Sequence, residues 1–283
     1  MNKAIIKKIA KSTGVLRLYN GIRLWYDNTT CDRFECGIGD ILLLRDVPSH
    51  NQLLLTSRLM DVEDYLSGKD LTFPWQNTIS YAAYGEKHRE EDGNRSFKAL
   101  IESYLKDGYH ADSFITCDCE MNLMDGNHRM GLHIYEKIDR VNVRRVHRRI
   151  PFDYGSDWYY QAGLPSVFME KIFQKYNEVQ EWLIESGNTF CAFFEGEEDE
   201  VQELIYALGR LCVILKVTKT LGNGVLVQFR MLNPAYNVVN DTLYSERVEK
   251  IERIIKCRAK KKITISLSKN CLEGNKIIKQ YLK

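Results

Sequence analysis

The chain has 283 residues, 44% of them hydrophobic and 28% charged, with a formal net charge of +2. That composition belongs to a folded chain with a sizeable core and excludes a disordered one, and the length suits one large domain or two ordinary ones. The longest apolar runs, Ile41–Leu44 and Leu53–Leu55, fall far short of the roughly 20 residues that cross a bilayer, so no transmembrane segment is expected.

In chain order, Met1–Ile9 is basic and partly apolar, without a continuous hydrophobic stretch or a small-residue cleavage site. It reads as a helix capping its own domain, with an amphipathic helix resting on an anionic membrane as the lesser alternative. Ile41–Leu44 reads as a buried strand. Leu59–Leu66 has helical apolar spacing and ends at Gly68. Phe97–Leu105 reads as a helix capped by Ser96 and stopped by Gly108. Then come a short strand Phe114–Cys117, a turn, a second strand Asn122–Met124, and a helix after Asp125-Gly126. A further strand through Val141 and Val143 runs on toward Arg149.

Pro151 is the expected boundary between an N-terminal domain, 1–150, and a C-terminal domain, 151–283. Beyond it, Asp157–Glu185 is aromatic-rich and mostly helical. The pieces Phe190–Phe194, Glu197–Gly209, Cys212–Thr218, Val225–Met231, Asp241–Cys257 and Ile263–Leu267 alternate as strand, helix, strand, strand, helix, strand. Gly222-Asn223-Gly224 supplies the hairpin between the middle strands, and the order resembles the split βαβ, ferredoxin-like arrangement. The fold class is α+β.

The eight cysteines form no compact disulfide framework, which favours a reducing cytoplasm. Neither Cys31 with Cys36 nor Cys117 with Cys119 has a matching Cys/His pair at zinc-site spacing.

The chemistry concentrates at Asp125-Gly126-Asn127-His128-Arg129. A strand ends, a glycine permits a tight turn, and a helix begins whose first amides have no intrahelical acceptor. Those amides and the helix dipole attract an anion, and phosphate suits them. Arg129 can grip phosphate oxygens through parallel hydrogen bonds, and His128 adds a donor that changes charge near neutral pH. Asp125 fits beside an anion if it binds a metal ion or takes a proton from an acceptor hydroxyl; otherwise it is a capping side chain.

The stretch Ser96–Val146 resembles the core of ParB/sulfiredoxin-like domains, on its helix, its Lys106-Asp107-Gly108-Tyr109 break and its strand pair leading to a Gly-x-His-Arg turn. A looser likeness reaches back to about Ile41. Sulfiredoxins carry a catalytic cysteine where this chain has Asn127. The CTP-binding turn of chromosome-partitioning ParB proteins, Gly-Glu-Arg-Arg, is replaced here at Asn127 and His128. The Asp-Gly-x-His-Arg form is most similar to the free serine kinases of the superfamily and to ParB-like proteins of surface-polysaccharide synthesis.

That resemblance implies nucleotide phosphate contacts from Gly126, Asn127, His128 and Arg129, with Asp125 near the acceptor or Mg²⁺ and Asp125 and His128 as the catalytic pair. The cofactors implied are ATP or another nucleoside triphosphate and Mg²⁺. The family's further glutamate is not fixed by a motif; Glu63 and Glu86 are candidates.

Arg140, Arg144, Arg145, His147, Arg148 and Arg149 could guide a nucleotide or an RNA backbone, or line a solvated strand edge. His133 shares a helical face with Arg129 and reads as a structural histidine. The expected activity is ATP-dependent phosphotransfer to a small hydroxylated metabolite. A nucleotide-binding scaffold without turnover and a ParB-like nucleic-acid binder are the competing expectations.

Overall fold

The computed structural model describes residues 15–42, 50–68, 90–108, 114–149, 166–220, 222–259 and 262–282. In chain order the first elements are α1 (Val15–Thr30), β1 (Asp32–Gly37), α2 (Gly39–Leu42), α3 (His50–Leu66), α4 (Glu90–Asp107), β2 (Ile115–Cys117), β3 (Leu123–Asp125), α5 (Asn127–Tyr135) and β4 (Arg140–Arg145). There follow α6 (Ser166–Glu185), β5 (Phe190–Glu195), α7 (Glu198–Gly209), β6 (Val213–Lys219), β7 (Gly224–Arg230), β8 (Tyr236–Val239), β9 (Thr242–Ser245), α8 (Glu246–Arg258), β10 (Thr264–Leu267) and α9 (Cys271–Tyr281). The architecture is mixed α+β. No helix of the described residues is long and apolar enough to cross a membrane.

The first sheet has six strands in the order β3-β2-β4-β1-β9-β8. β1 pairs antiparallel with β4 from Asp32 opposite Arg145 to Gly37 opposite Arg140, and β2 lies parallel to β4. Two-residue alternation decides which face each strand buries. Phe34 and Cys36 of β1 and Val141 and Val143 of β4 enter the core, while Arg33, Glu35 and Arg140 face solvent. The strands β8 and β9 come from beyond Pro151, and β9 pairs with β1 at Glu35 opposite Thr242. The later chain therefore completes the sheet that the earlier chain begins.

The second sheet runs β10-β5-β7-β6 with every neighbouring pair antiparallel. β5 and β6 consequently point the same way, separated by β7 and joined through α7. The strand β5 is apolar on both faces because both are covered. Phe190, Ala192 and Phe194 join the main buried cluster with residues of α7 and α8. Cys191 and Phe193 turn to the other face with Leu226 and Ile278, where Phe193 stacks on Tyr281 at 3.9 Å between ring centroids.

Buried polar groups tie these parts together. Asp40 is fully buried, and it accepts from the Tyr236 hydroxyl at 2.6 Å, the Cys271 amide at 2.9 Å and the Gly37 amide at 3.1 Å. Burial lifts its carboxyl to about 6 even against those three donors, which favour the charged form. Beside it, Asn188 accepts from the Gly39 amide at 2.7 Å and donates to the Asp139 carbonyl. A Cβ on Gly39 would meet the Asn188 carbonyl oxygen at 1.9 Å, so glycine is required at this crossing.

Several elements differ from those the sequence suggests. Ile41 and Leu42 belong to the short helix α2, because an apolar run of this length carries no periodicity that separates strand from helix. The region expected as one helix, Asp241–Cys257, begins instead as a hairpin: Asn240 and Asp241 have φ of +50° and +56°, a two-residue turn of the kind that matches strand twist. The helix α8 starts only at Glu246, where Ser245 accepts from the Val248 amide at 3.2 Å. α4 begins at Glu90, so Ser96 lies inside it, and Leu105 is exposed. β4 ends at Arg145 rather than running to Arg149, and the helix α9 was not anticipated. Of the aromatics after Pro151, Trp158, Tyr159 and Tyr160 lie outside the described residues.

Replacing Asn188 by alanine strands the buried Gly39 amide and removes one of two donors to the Asp139 carbonyl, which keeps the Ile38 amide at 3.2 Å. The expected loss is about 2 kcal/mol of stability, read as a lower urea midpoint with an unchanged slope.

Candidate functional site

The five-residue turn lies where the sequence placed it. β3 ends at Asp125, opposite Thr116 of β2, and α5 begins at Asn127. Gly126 sits between them at φ +99°, ψ +17°, in the left-handed region that favours glycine. A Cβ there would also lie 2.8 Å from Ile115 Cδ1, so space and backbone both require glycine. The first intrahelical bond runs from the Met130 amide to the Gly126 carbonyl at 2.8 Å, and the capping glycine has no side chain to occupy the helix end.

Around this end the five side chains divide. Asp125 is exposed, and its Oδ1 accepts from the Gly126 amide at 2.8 Å, which folds the carboxylate back over the turn. Asn127 Oδ1 is buried without a hydrogen-bond partner. Arg129 Nη1 donates to the Phe114 carbonyl at 2.9 Å, bracing the helix against the chain entering β2. Part of its donor set is thus committed to the backbone, which narrows the two-pronged grip on phosphate expected from sequence.

His128 requires a larger revision. Burial first, then the positive charges of Arg58 and Arg129, push its imidazole down to about 3. It is a neutral group throughout the physiological range and does not change charge near neutrality. His133 is likewise lowered to about 4, mainly by burial, and its Nδ1 shares a 2.9 Å hydrogen bond with the Tyr104 hydroxyl of α4. This is the structural role that its place on the apolar face of α5 suggests.

One pair near the turn carried no sequence signal. Arg58 of α3 is only 2% exposed and meets Asp61 at 3.1 Å, one helical turn away. Burial pushes the Asp61 carboxyl well above the ordinary range, with Arg58 pulling it partly back. α3 reaches the turn's helix at Gly131, where a Cβ would stand 3.2 Å from the Leu59 amide nitrogen. The Arg58-x-x-Asp61 spacing fits an ordinary i,i+3 surface pair, so only the three-dimensional packing distinguishes it.

The arginine cluster is built into the fold. Arg145 donates to the carbonyls of Cys119 and Tyr236 and to Asp32, and Arg144 donates to Asn28 and Thr116. Arg148 pairs with Asp27, Arg149 with Glu120, Arg140 with Glu35, and His147 approaches Asp32. These contacts tie β4 and the chain after it to α1, β1 and the β2–β3 turn, and the paired acids offset the positive charge. The arrangement is a set of internal links more than an open basic surface.

Of the two candidate glutamates, Glu63 is held by Lys175 at 3.0 Å, and Glu86 lies outside the described residues. Among the described residues no three His, Cys, Asp or Glu side chains converge as a metal site, so Asp125 would have to hold Mg²⁺ with the nucleotide's own oxygens. All eight cysteines are free. A cavity of about 360 Å³ lies away from the turn, between the start of α7 and the β6–β7 hairpin, over Val201, Ile205, Val217 and Val225.

Compared with protein families, with characterised proteins and with solved structures, the chain shows no match.

Two neutral buried imidazoles have a pH consequence. Each binds a proton more weakly folded than unfolded, so its contribution to stability is present above the ordinary value of 6.5 and is lost as the pH falls. By about pH 5 the expected loss is roughly 2 kcal/mol for each histidine. Urea titrations across this range should show it, with a shallower pH dependence in His133→Phe. Separately, Gly126→Ala should cost about 2 kcal/mol or more by the same measurement, from left-handed strain and the contact with Ile115.

Proposed function

We propose that the β3–α5 turn binds the phosphates of a nucleoside triphosphate, ATP with Mg²⁺, and that the chain transfers a phosphoryl group to a small hydroxylated metabolite. The observation that carries this reading is the left-handed Gly126 at a strand-to-helix junction, with no side chain capping the helix end. Amides at such an end, aided by the dipole, suit a phosphate. The neutral His128 acts as a hydrogen-bonding member of the site and not as a cation. Asp125, the exposed carboxylate of the turn, orients the acceptor hydroxyl and accepts its proton as the phosphoryl group moves in line. Catalysis then rests on positioning and charge stabilisation.

The likeness of the Asp-Gly-x-His-Arg turn to the free serine kinases and to ParB-like polysaccharide proteins supports surface-polysaccharide metabolism as the setting. The strand order β10-β5-β7-β6, with α7 and α8 as its helices, supports a ferredoxin-like reading of the second sheet. Eight free cysteines support a cytoplasmic location.

A second reading, nucleotide binding without turnover, is favoured by one specific observation. Arg129 and Asp125 both spend hydrogen bonds on the local backbone, as expected of a site shaped to bind more than to react.

Calorimetry with Mg²⁺-ATP and its non-hydrolysable analogue tests both. Asn127→Asp places a negative charge at the helix start, which suits the helix dipole but repels phosphate, so nucleotide affinity should fall about tenfold with the fold retained. Undiminished affinity would remove the turn as the phosphate site. Asp125→Asn should preserve binding and abolish phosphotransfer; a native chain that binds ATP but phosphorylates no hydroxylated acceptor establishes the second reading.

A further inference from the structure

The helix α7 and the strand β6 form a wedge, tight at one end and open at the other. After a three-residue connection β6 runs back beside α7, so Lys219 at its end returns to the level of Glu198 at the helix start. At the tight end a Cβ on Gly209 would stand 3.1 Å from Ile214 Cδ1, so helix and strand touch there. At the open end the long side chains of Glu198 and Lys219 span the gap and pair at 2.8 Å. The cavity of about 360 Å³ lies between, a size that holds a small organic molecule.

Its inner walls are aliphatic. Glu198, Val201 and Ile205 share one helical face, and Val217 and Lys219 share one face of β6, opposite Val227 and Val225 of β7. Val201 and Ile205 are 3% and 7% exposed, whereas Val217 is 49% exposed because α7 has diverged from the sheet at that level. No aromatic side chain is among the lining residues described, so a planar ring finds nothing to stack on and an aliphatic body fits better.

Charge at the mouth decides the sign of the guest. Residues 195–200 carry five acids in six positions, and Glu197 makes no side-chain capping hydrogen bond. Within the lining, Lys219 is the cation set against Glu197 and Glu198. The dipole of α7 offsets only about half a charge, so the mouth stays negative and favours an ammonium over a carboxylate. Lys219 marks where such a group sits. Its side chain and that of Glu198 are 77% and 83% exposed, and an ion pair so open to water is exchanged at little cost.

We infer that the α7–β6 cleft binds a small aliphatic amine. Its ammonium replaces Lys219 on Glu198, and its hydrocarbon body fills the space over Val201, Ile205, Val217 and Val225. The cleft is separate from the β3–α5 turn, and neither site depends on the other.

Titration of the isotope-labelled full chain with n-hexylamine, followed by nuclear magnetic resonance, tests it. Saturable shifts are expected at the amides of Val201, Ile205, Val217 and Val225, with a Kd of about a millimolar. Methylamine has the charge without the body and hexanoate the body with the opposite charge, so each should bind at least about tenfold more weakly. Val217→Phe fills the cavity from an exposed strand position, so it should keep the native melting temperature and weaken hexylamine at least about tenfold. Glu198→Gln should weaken it about fivefold, while Lys219→Gln removes the competitor and should strengthen it about threefold. Shifts that do not saturate, an equal response to methylamine or hexanoate, undiminished binding by Val217→Phe or Glu198→Gln, or no gain after Lys219→Gln would each overturn the inference.

Discussion

The Asp40 carboxylate organises the molecule. It sits in α2 with no access to solvent and gathers donors from the end of β1 at Gly37 and from two remote places, the hydroxyl of Tyr236 on β8 and the first amide of α9 at Cys271. A buried carboxylate is costly unless its oxygens are satisfied, so each of these segments must arrive for the others to be stable. Asn188 does the same work one step away, joining Gly39 at the start of α2 to the chain entering β4. Through these two side chains the first sheet and the start of the second meet by hydrogen bonds as well as by apolar packing.

The phosphate-binding proposal inherits its geometry from that framework. β2 and β4 fix β3, β3 delivers Gly126, and the close approach of α3 to α5 at Gly131 sets the helix axis. The charged groups beneath the turn are then constrained by burial more than by function. His128 stays neutral because burial would desolvate its charged form and Arg58 and Arg129 already place two positive charges beside it. The arginines of β4 likewise act as struts, with carbonyls and acids of this chain as their partners.

How much of this was legible in the sequence follows from the range of each interaction. The turn at Asp125–Arg129 and the strands around Val141, Phe190 and Val225 were readable, because glycine placement and side-chain alternation are local signals. α2 was misread since Ile41-Leu42 is apolar in either conformation. The β8–β9 hairpin was hidden because Asn240-Asp241 serves as well for a helix start as for a left-handed turn, and only pairing with β1 decides. The burial of the Arg58–Asp61 pair, the depressed imidazole of His128 and the partners of Arg145 all depend on packing between segments far apart in sequence. The helix α1 was not read from the sequence, and its ties to the body run to Arg144 and Arg148, more than a hundred residues later.

Gly131 has one more consequence. With no side chain at that position, the backbone of α5 rests against the backbone of α3, and there is no flexible layer between them to absorb a shift. The start of α5 is therefore pinned in height and tilt by α3, a helix more than sixty residues earlier in the chain. Any side chain at position 131 would wedge the two helices apart, and the turn at Gly126 would swing with the lever.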